Sequence, residues 1–170
     1  VSMLEPKQEV LSMFFSDIRG FTALSETFKE PRDLIEFLNL YMNPMVEIII
    51  KQKGVVDKFI GDAIMAYWNA PNKLVNHQDK ALVCALKQMK ALGNLNEEFS
   101  KTNRPTIKIG IGLHSGVATI GEMGSDGRSD YTIIGDNVNL ASRIEGLTKF
   151  YRAQILISSS FKDGLKDDYY

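Results

Sequence analysis

The chain's first ordered pattern is a short apolar run over residues 11–15 that stops at Ser16-Asp17, and it predicts a buried strand. Gly20-Phe21-Thr22 then turns the chain, and beyond it the period changes. Leu34, Phe37, Leu38, Tyr41, Met45, Ile48 and Ile49 recur at helical spacing, behind Pro31 as a first helical residue and ahead of Gly54 as a stop. Residues 55–60 and 63–68 flank Gly61-Asp62, two strands around a two-residue turn, which predicts a tight hairpin. Leu82, Cys84, Ala85, Leu86, Met89 and Leu92 mark a second amphipathic helix. Ile107, Ile109, Ile111 and Leu113 alternate with Lys108, Gly110, Gly112 and His114 as in a strand, and residues 116–120 are expected to return antiparallel to it. Asp136 is placed to cap a helix through Asn139, Arg143 and Leu147, with Leu140, Ala141, Ile144 and Leu147 towards the core. Residues 153–157 close as a last strand.

The order is strand, helix, hairpin, helix, hairpin, helix, strand. With the second hairpin trimmed, it contains the βαββαβ pattern of a ferredoxin-like α+β fold, an antiparallel sheet with helices on one face.

Composition narrows the function classes. A chain of 170 residues, 44% apolar, is one soluble-type domain over residues 1–170. Its net charge of −1 argues against a nucleic-acid binder, because no excess of Lys and Arg is available to replace phosphate counterions. A phosphate ligand would have to be held by local groups or by metal ions. The single cysteine, Cys84, lies in an apolar helical stretch and cannot make an internal disulfide, so a reducing, cytoplasmic setting is expected. No apolar run approaches the roughly 18 residues of a membrane span. The first residue is Val1 rather than Met, so a larger parent protein, carrying an upstream sensor or a membrane anchor, is expected.

Two carboxylates then stand out. Asp17 ends the first strand and Asp62 sits at the tip of the first hairpin. In a ferredoxin-like sheet those strands are central neighbours, so the two side chains can converge at one edge. Two carboxylates, a backbone carbonyl and phosphate oxygens form a hard-oxygen site suited to Mg²⁺, and two such ions can activate an attacking oxygen and hold a leaving group. Each Asp alone is equally an ordinary turn residue. The N–H groups of Gly20-Phe21-Thr22 can cradle phosphates. Asn139 and Arg143, four apart, share a helix face, where they can bind a ribose and a polyphosphate or simply be solvated. His77 and His114 have no partner at metal-ligand spacing and read as structural; P-loop, dinucleotide-binding and serine-elbow motifs are missing.

The combination is more specific than its parts. Phe14-Phe15-Ser16-Asp17-Ile18-Arg19-Gly20-Phe21-Thr22, then Val56-Asp57-Lys58-Phe59-Ile60-Gly61-Asp62-Ala63-Ile64-Met65-Ala66, then Asp130-Tyr131-Thr132-Ile133-Ile134-Gly135-Asp136-Asn137-Val138-Asn139-Leu140-Ala141-Ser142-Arg143 occur in order. From about residue 9 to about residue 160 the chain resembles the catalytic domain of class III adenylate/guanylate cyclases, above all the bacterial and soluble branches. The resemblance implies a homodimer with active sites at the subunit interface. It implies that Asp17 and Asp62 bind two Mg²⁺ or Mn²⁺ ions with help from the Ile18 carbonyl, that Asn139 orients the ribose, and that Arg143 stabilises phosphate charge. Lys58 and Thr132 would face the base.

The base-facing pair is consistent with ATP. Adenine offers an acceptor at N1 and a donor amine at N6; Lys58 donates and the Thr132 hydroxyl accepts. Guanine reverses the pattern, at a cost of about 1–3 kcal/mol per buried group left unpaired. Many family members carry Asp at the Thr132 position, and the Thr variant resembles a subgroup stimulated by bicarbonate. The family usually continues into a further hairpin bearing a phosphate-binding Lys; nothing after Arg152 matches it, and Lys162 and Lys166 stand in the wrong context. The expected function is therefore ATP conversion to 3′,5′-cyclic AMP and pyrophosphate. The alternatives are a silent nucleotide-binding regulatory domain, which usually lacks one of the metal Asp residues or the Asn/Arg pair, and a guanylate cyclase, which would carry an acid at Lys58. A diguanylate cyclase is disfavoured because residues 60–63 lack its signature turn.

Overall fold

The computed structural model describes residues 5–125 and 127–169; Val1 and Tyr170, the first and last residues, lie outside them. The elements follow as β1 (Lys7–Ile18), α1 (Phe21–Glu26), α2 (Pro31–Lys51), β2 (Val55–Ile60), β3 (Ala63–Trp68), α3 (His77–Lys101), β4 (Ile109–Ser125), β5 (Arg128–Ile134), α4 (Asp136–Tyr151), β6 (Ile155–Ile157) and α5 (Ser159–Asp163). Five strands run in the order β2-β3-β1-β4-β5, and β6 joins parallel to β4. The α+β class and the βαββαβ core are as expected. The short α1 and α5 are additions.

Strand β1 is central and covered on both faces, which is why its apolar residues run together instead of alternating with polar ones. Phe14 and Ile18 belong to the larger core, shared with Phe37, Tyr41, Met45 and Ile49 of α2 and Leu82, Cys84 and Ala85 of α3. Leu11, Met13 and Phe15 belong to a second core on the other face, shared with Val138 and Ala141 of α4.

Helices therefore cover both faces, not one. The reason lies in β4. Gly110, Gly112 and Gly116 pair with Asp17, Phe15 and Leu11, so they point to the second face. A Cβ on Gly112 would collide with the backbone of Glu145, and one on Gly116 would lie 2.6 Å from the Asn137 side chain. The bare strand is a shelf on which α4 lies directly, and its parity puts α4 opposite α2 and α3. The same shelf corrects the orientation of α4. Its buried residues are Val138, Ala141, Ile144, Glu145 and Thr148, while Leu140 and Leu147 are exposed.

Residues 116–120 do not return; they continue β4, and the returning strand is β5. Pairing with β1 runs unbroken from Ile18 opposite Ile109 to Lys7 opposite Ile120, so Gly116 serves helix contact rather than a turn. Asp136 is the first helical residue, and Gly135, at φ 138°, is the N-cap. The Asp136 carboxylate still complements the helix dipole from the first turn. No described helix is long and apolar enough to cross a membrane.

Candidate active site

The hairpin and the central strand make the site. Ser16 lies opposite Ile64, so two residues further the end of β1 meets the tip of the β2–β3 turn. There the Ile18 N–H donates to Asp62 Oδ2 at 2.8 Å. Gly61, at φ 61°, gives the turn a left-handed residue that costs a glycine little. Asp17 and Asp62 are thus brought to the same end of adjacent strands, as expected.

Asp17 is held from the α4 side. Its Oδ2 is 3.9 Å from Lys149 Nζ. Among the described residues no donor reaches its buried Oδ1 or the buried Glu145 Oε2. Burial, then the neighbouring Asp17 carboxylate, push the Glu145 carboxyl well above the usual carboxylate range. An orphaned buried carboxylate oxygen beside a second carboxylate fits a hard divalent cation. Among the described residues no group of three or more His, Cys, Asp or Glu side chains gathers as a cage. Remaining coordination would fall to backbone and substrate oxygens.

Gly20, at φ 61°, is the N-cap of α1, with Phe21 and Thr22 as its first residues. The N–H groups of such a first turn have no intrahelical partner. Asn139 and Arg143 are exposed on α4. Among the described residues no hydrogen bond or ion pair ties either of them to Asp17 or Asp62. A cleft of about 540 Å³ opens between α3, β4 and the end of α4, lined by Arg19, Lys108, Lys149 and Arg152, but neither Asp62 nor Arg143 lines it. The chain's own fold therefore gathers the two acids and leaves the Asn/Arg pair apart.

Lys58 is exposed, with Nζ 3.7 Å from Asp57 Oδ1. Thr132 is buried, and its Oγ1 donates to Asp57 Oδ1 and Oδ2 at 2.9 and 2.8 Å. The two expected base-facing residues are thus joined through Asp57. Sequence reasoning assigned no role to Asp57 or to Glu145. An Asp inside an apolar strand was a signal for the first. The second was masked by the expected α4 face, since Glu145 joins the buried row only when Val138, Ala141 and Thr148 define it. His77 and His114 are structural: His77 Nδ1 meets Ser12 Oγ at 2.6 Å, and His114 meets Ser158 Oγ and Asn137 Oδ1 at 2.7 and 2.8 Å.

Residues 3–170 match the family described as adenylate and guanylate cyclase catalytic domain. The adenylate cyclase of Anabaena cylindrica is 45% identical over 154 residues, which cover 88% of this chain and 30% of that protein. Among solved structures, the adenylyl cyclase CyaB from P. aeruginosa superposes with a TM-score of 0.87 at 36% identity, covering 95% of this chain and 82% of that one. The guanylyl cyclase Cya2 superposes with a TM-score of 0.88 at 30% identity, covering 96% and 82%. The chain spans less than a third of the length of the Anabaena cylindrica enzyme and of adenylate cyclase 1 from Rhizobium meliloti. A match across nearly the whole length, on a fold that sets Asp17 beside Asp62, leaves one assignment: the chain belongs to the adenylate and guanylate cyclase catalytic domain family.

Proposed function

We propose that this domain converts ATP to 3′,5′-cyclic AMP and pyrophosphate at a site completed by a second copy of the chain. The observation that carries the reading is the Ile18 N–H to Asp62 bond, which brings Asp62 to the end of β1 beside Asp17. In the reaction the 3′-oxygen of the ribose attacks the α-phosphorus, loses its proton, and displaces pyrophosphate. Asp17, Asp62 and the Ile18 carbonyl would hold two Mg²⁺ or Mn²⁺ ions, which supply charge neutralisation and a more acidic 3′-hydroxyl. The open first turn of α1, at Gly20, Phe21 and Thr22, takes phosphate oxygens from the same copy.

The second copy supplies the rest. Asn139 orients the ribose, and Arg143 places a bidentate cation on the phosphates as charge develops. Their exposure supports this, as do the exposed Leu140, Leu147 and Phe150 on the same helix at 37%, 45% and 78%. Lys58 donates to adenine N1 and Thr132 accepts from the N6 amine.

The wider setting belongs to the same proposal: residues 1–170 as the catalytic domain of a cytoplasmic or membrane-anchored parent with an upstream sensor. Bicarbonate stimulation also belongs to it, resting on Thr132, and equal rates in bicarbonate and chloride at matched pH and ionic strength would remove it. The main test is purified protein with the Mg²⁺ or Mn²⁺ complex of ATP or GTP and both cyclic products measured. Cyclic AMP in excess is expected; a preference for GTP, or neither product at any protein concentration, would overturn the reading.

A further inference from the structure

Asp57 sits where β2 bulges. Val56 pairs with Ala66 and Lys58 with Met65, which leaves Asp57 without a partner on β3. Its side chain is 1% exposed and reaches β5, at the other end of the strand order. There it accepts from Thr132 Oγ1 at 2.8 and 2.9 Å and from the Ile133 N–H at 3.1 Å.

A threonine hydroxyl carries one proton and two lone pairs, and an ionised carboxylate can only accept. Asp57, with Lys58 Nζ 3.7 Å away as its counter-charge, therefore holds the Thr132 proton. What Thr132 Oγ1 has left for a ligand is a lone pair. We propose that Asp57 is a specificity-determining positioning residue: by holding the proton of Thr132 it makes that hydroxyl an obligate acceptor, so the site takes a 6-aminopurine nucleotide and rejects a 6-oxopurine one. A hydroxyl free to rotate would accept from the amine or donate to the carbonyl, and would distinguish the two poorly. This rests on the reading that Thr132 faces the base.

Asp57→Asn tests it at nearly constant size. The Ile133 N–H is fixed in the backbone and claims the amide oxygen. The amide nitrogen then takes the Oδ1 position, 2.9 Å from Thr132 Oγ1, and donates to it; the amide oxygen at the Oδ2 position, shared with the Ile133 N–H, is a weaker acceptor than the carboxylate, so the Thr132 proton is no longer held and can turn to the ligand. The measured quantity is the ratio of kcat/KM for ATP and GTP in the full chain. Binding of the α,β-methylene analogues of the two nucleotides gives a readout that does not depend on turnover. The wild type is expected to favour ATP, and Asp57→Asn to lower the ratio at least fivefold in both measurements. Thr132→Val is expected to lower it as well, and adding Asp57→Asn to Thr132→Val to change it less than twofold. A purely structural role would reduce both nucleotides together and leave the ratio in place. Should Asp57→Asn not fold, Asp57→Ser, which releases the proton to water, carries the same comparison. A ratio unmoved by the Asp57 variant but lowered by Thr132→Val overturns the proposal and leaves the base reading intact. A wild type that favours GTP, or a ratio indifferent to Thr132→Val, removes the base reading and the proposal with it.

Discussion

Ile18 and Asp62 are 44 residues apart in sequence and joined by one bond: the backbone N–H of Ile18 donates to Asp62 Oδ2 at 2.8 Å. That bond occupies one carboxylate oxygen and locks the hairpin tip to the end of β1. Asp17, the neighbour of Ile18, has the opposite environment, a buried oxygen that no donor reaches among the described residues, close to a second carboxyl. The two acids therefore contribute differently to stability even though both are proposed to hold the same ions.

This difference gives the first prediction. Asp17→Asn and Asp62→Ala are each expected to fall below about a tenth of wild-type activity, given the several kcal/mol that catalytic ions supply. In EDTA their melting temperatures should move apart. Measured near pH 9, above the value of about 8 to which burial and Asp17 push the Glu145 carboxyl, Asp17→Asn removes one of two like charges and should raise it. Asp62→Ala loses a backbone-to-carboxylate bond worth roughly 1.5–3 kcal/mol and should lower it. Activity retained in both variants would end the metal assignment, and shifts of the same sign would end the account of their environments.

A site shared between copies predicts rescue. Asp62→Ala and Arg143→Ala damage opposite halves of it, so each alone is expected to be inactive. Random exchange in an equal mixture makes half the dimers mixed, each with one intact site, and recovers about a quarter of wild-type activity. Specific activity should also rise with protein concentration while monomer persists. No recovery in a mixture shown by mass spectrometry to have exchanged would place all the groups in one copy.

What the sequence revealed and what it hid have physical causes. The acids, the hairpin and α2 were legible because each is a local event: a polar break after an apolar run, a two-residue turn, a 3.6-residue period. The direction of residues 116–120 was not, because Gly116 resembles a turn signal until the contact with Asn137 is known. The face of α4 was hidden for the same reason. Its apolar residues, Leu140 and Leu147, suggest one side, but the glycine shelf of β4 accepts the side carrying Glu145 and Thr148. Asp57 was printed in the motif, yet its bond to Thr132 spans 75 residues and exists only when the two edges of the sheet meet.

The shelf can be tested by adding one methyl group. A Cβ on Gly112 meets the backbone of Glu145, which no rotamer change relieves. Gly112→Ala should destabilise the fold by about 1–3 kcal/mol, as overpacking does, and should lower activity by lifting α4 with Asn139 and Arg143. Gly93 lies in α3 with open space around it. Gly93→Ala should instead stabilise by about 0.5–1 kcal/mol through helix propensity. Urea unfolding of the two variants measures both, and a stable Gly112→Ala would mean that α4 does not rest on β4.

The last prediction concerns pH and His77. Its ring is buried at the start of α3, with Nδ1 at 2.6 Å from Ser12 Oγ. Burial lowers its pKa from the ordinary 6.5, because charging the ring would strand a cation away from water. The folded state therefore takes up this proton later than the unfolded state as pH falls. Its contribution to stability is fully present above about 6.5 and is lost as pH drops through the folded pKa, with a slope of at most about 1.4 kcal/mol per pH unit for one proton. Glu145 acts in the opposite sense. Its carboxyl is pushed up to about 8, first by burial and then by Asp17, so its contribution is lost as pH rises from about 4.5 towards that value. Because the two overlap, the slope of the wild-type curve alone decides nothing. The readout is the difference between wild type and His77→Gln in unfolding free energy from pH 7.5 to 5.5. His77→Gln removes the ionisable ring, so its stability should fall less on acidification than that of the wild type, whatever its absolute value at pH 7.5. Parallel curves would show that the His77 proton binds both states alike, and that burial under Ser12 does not keep the ring neutral.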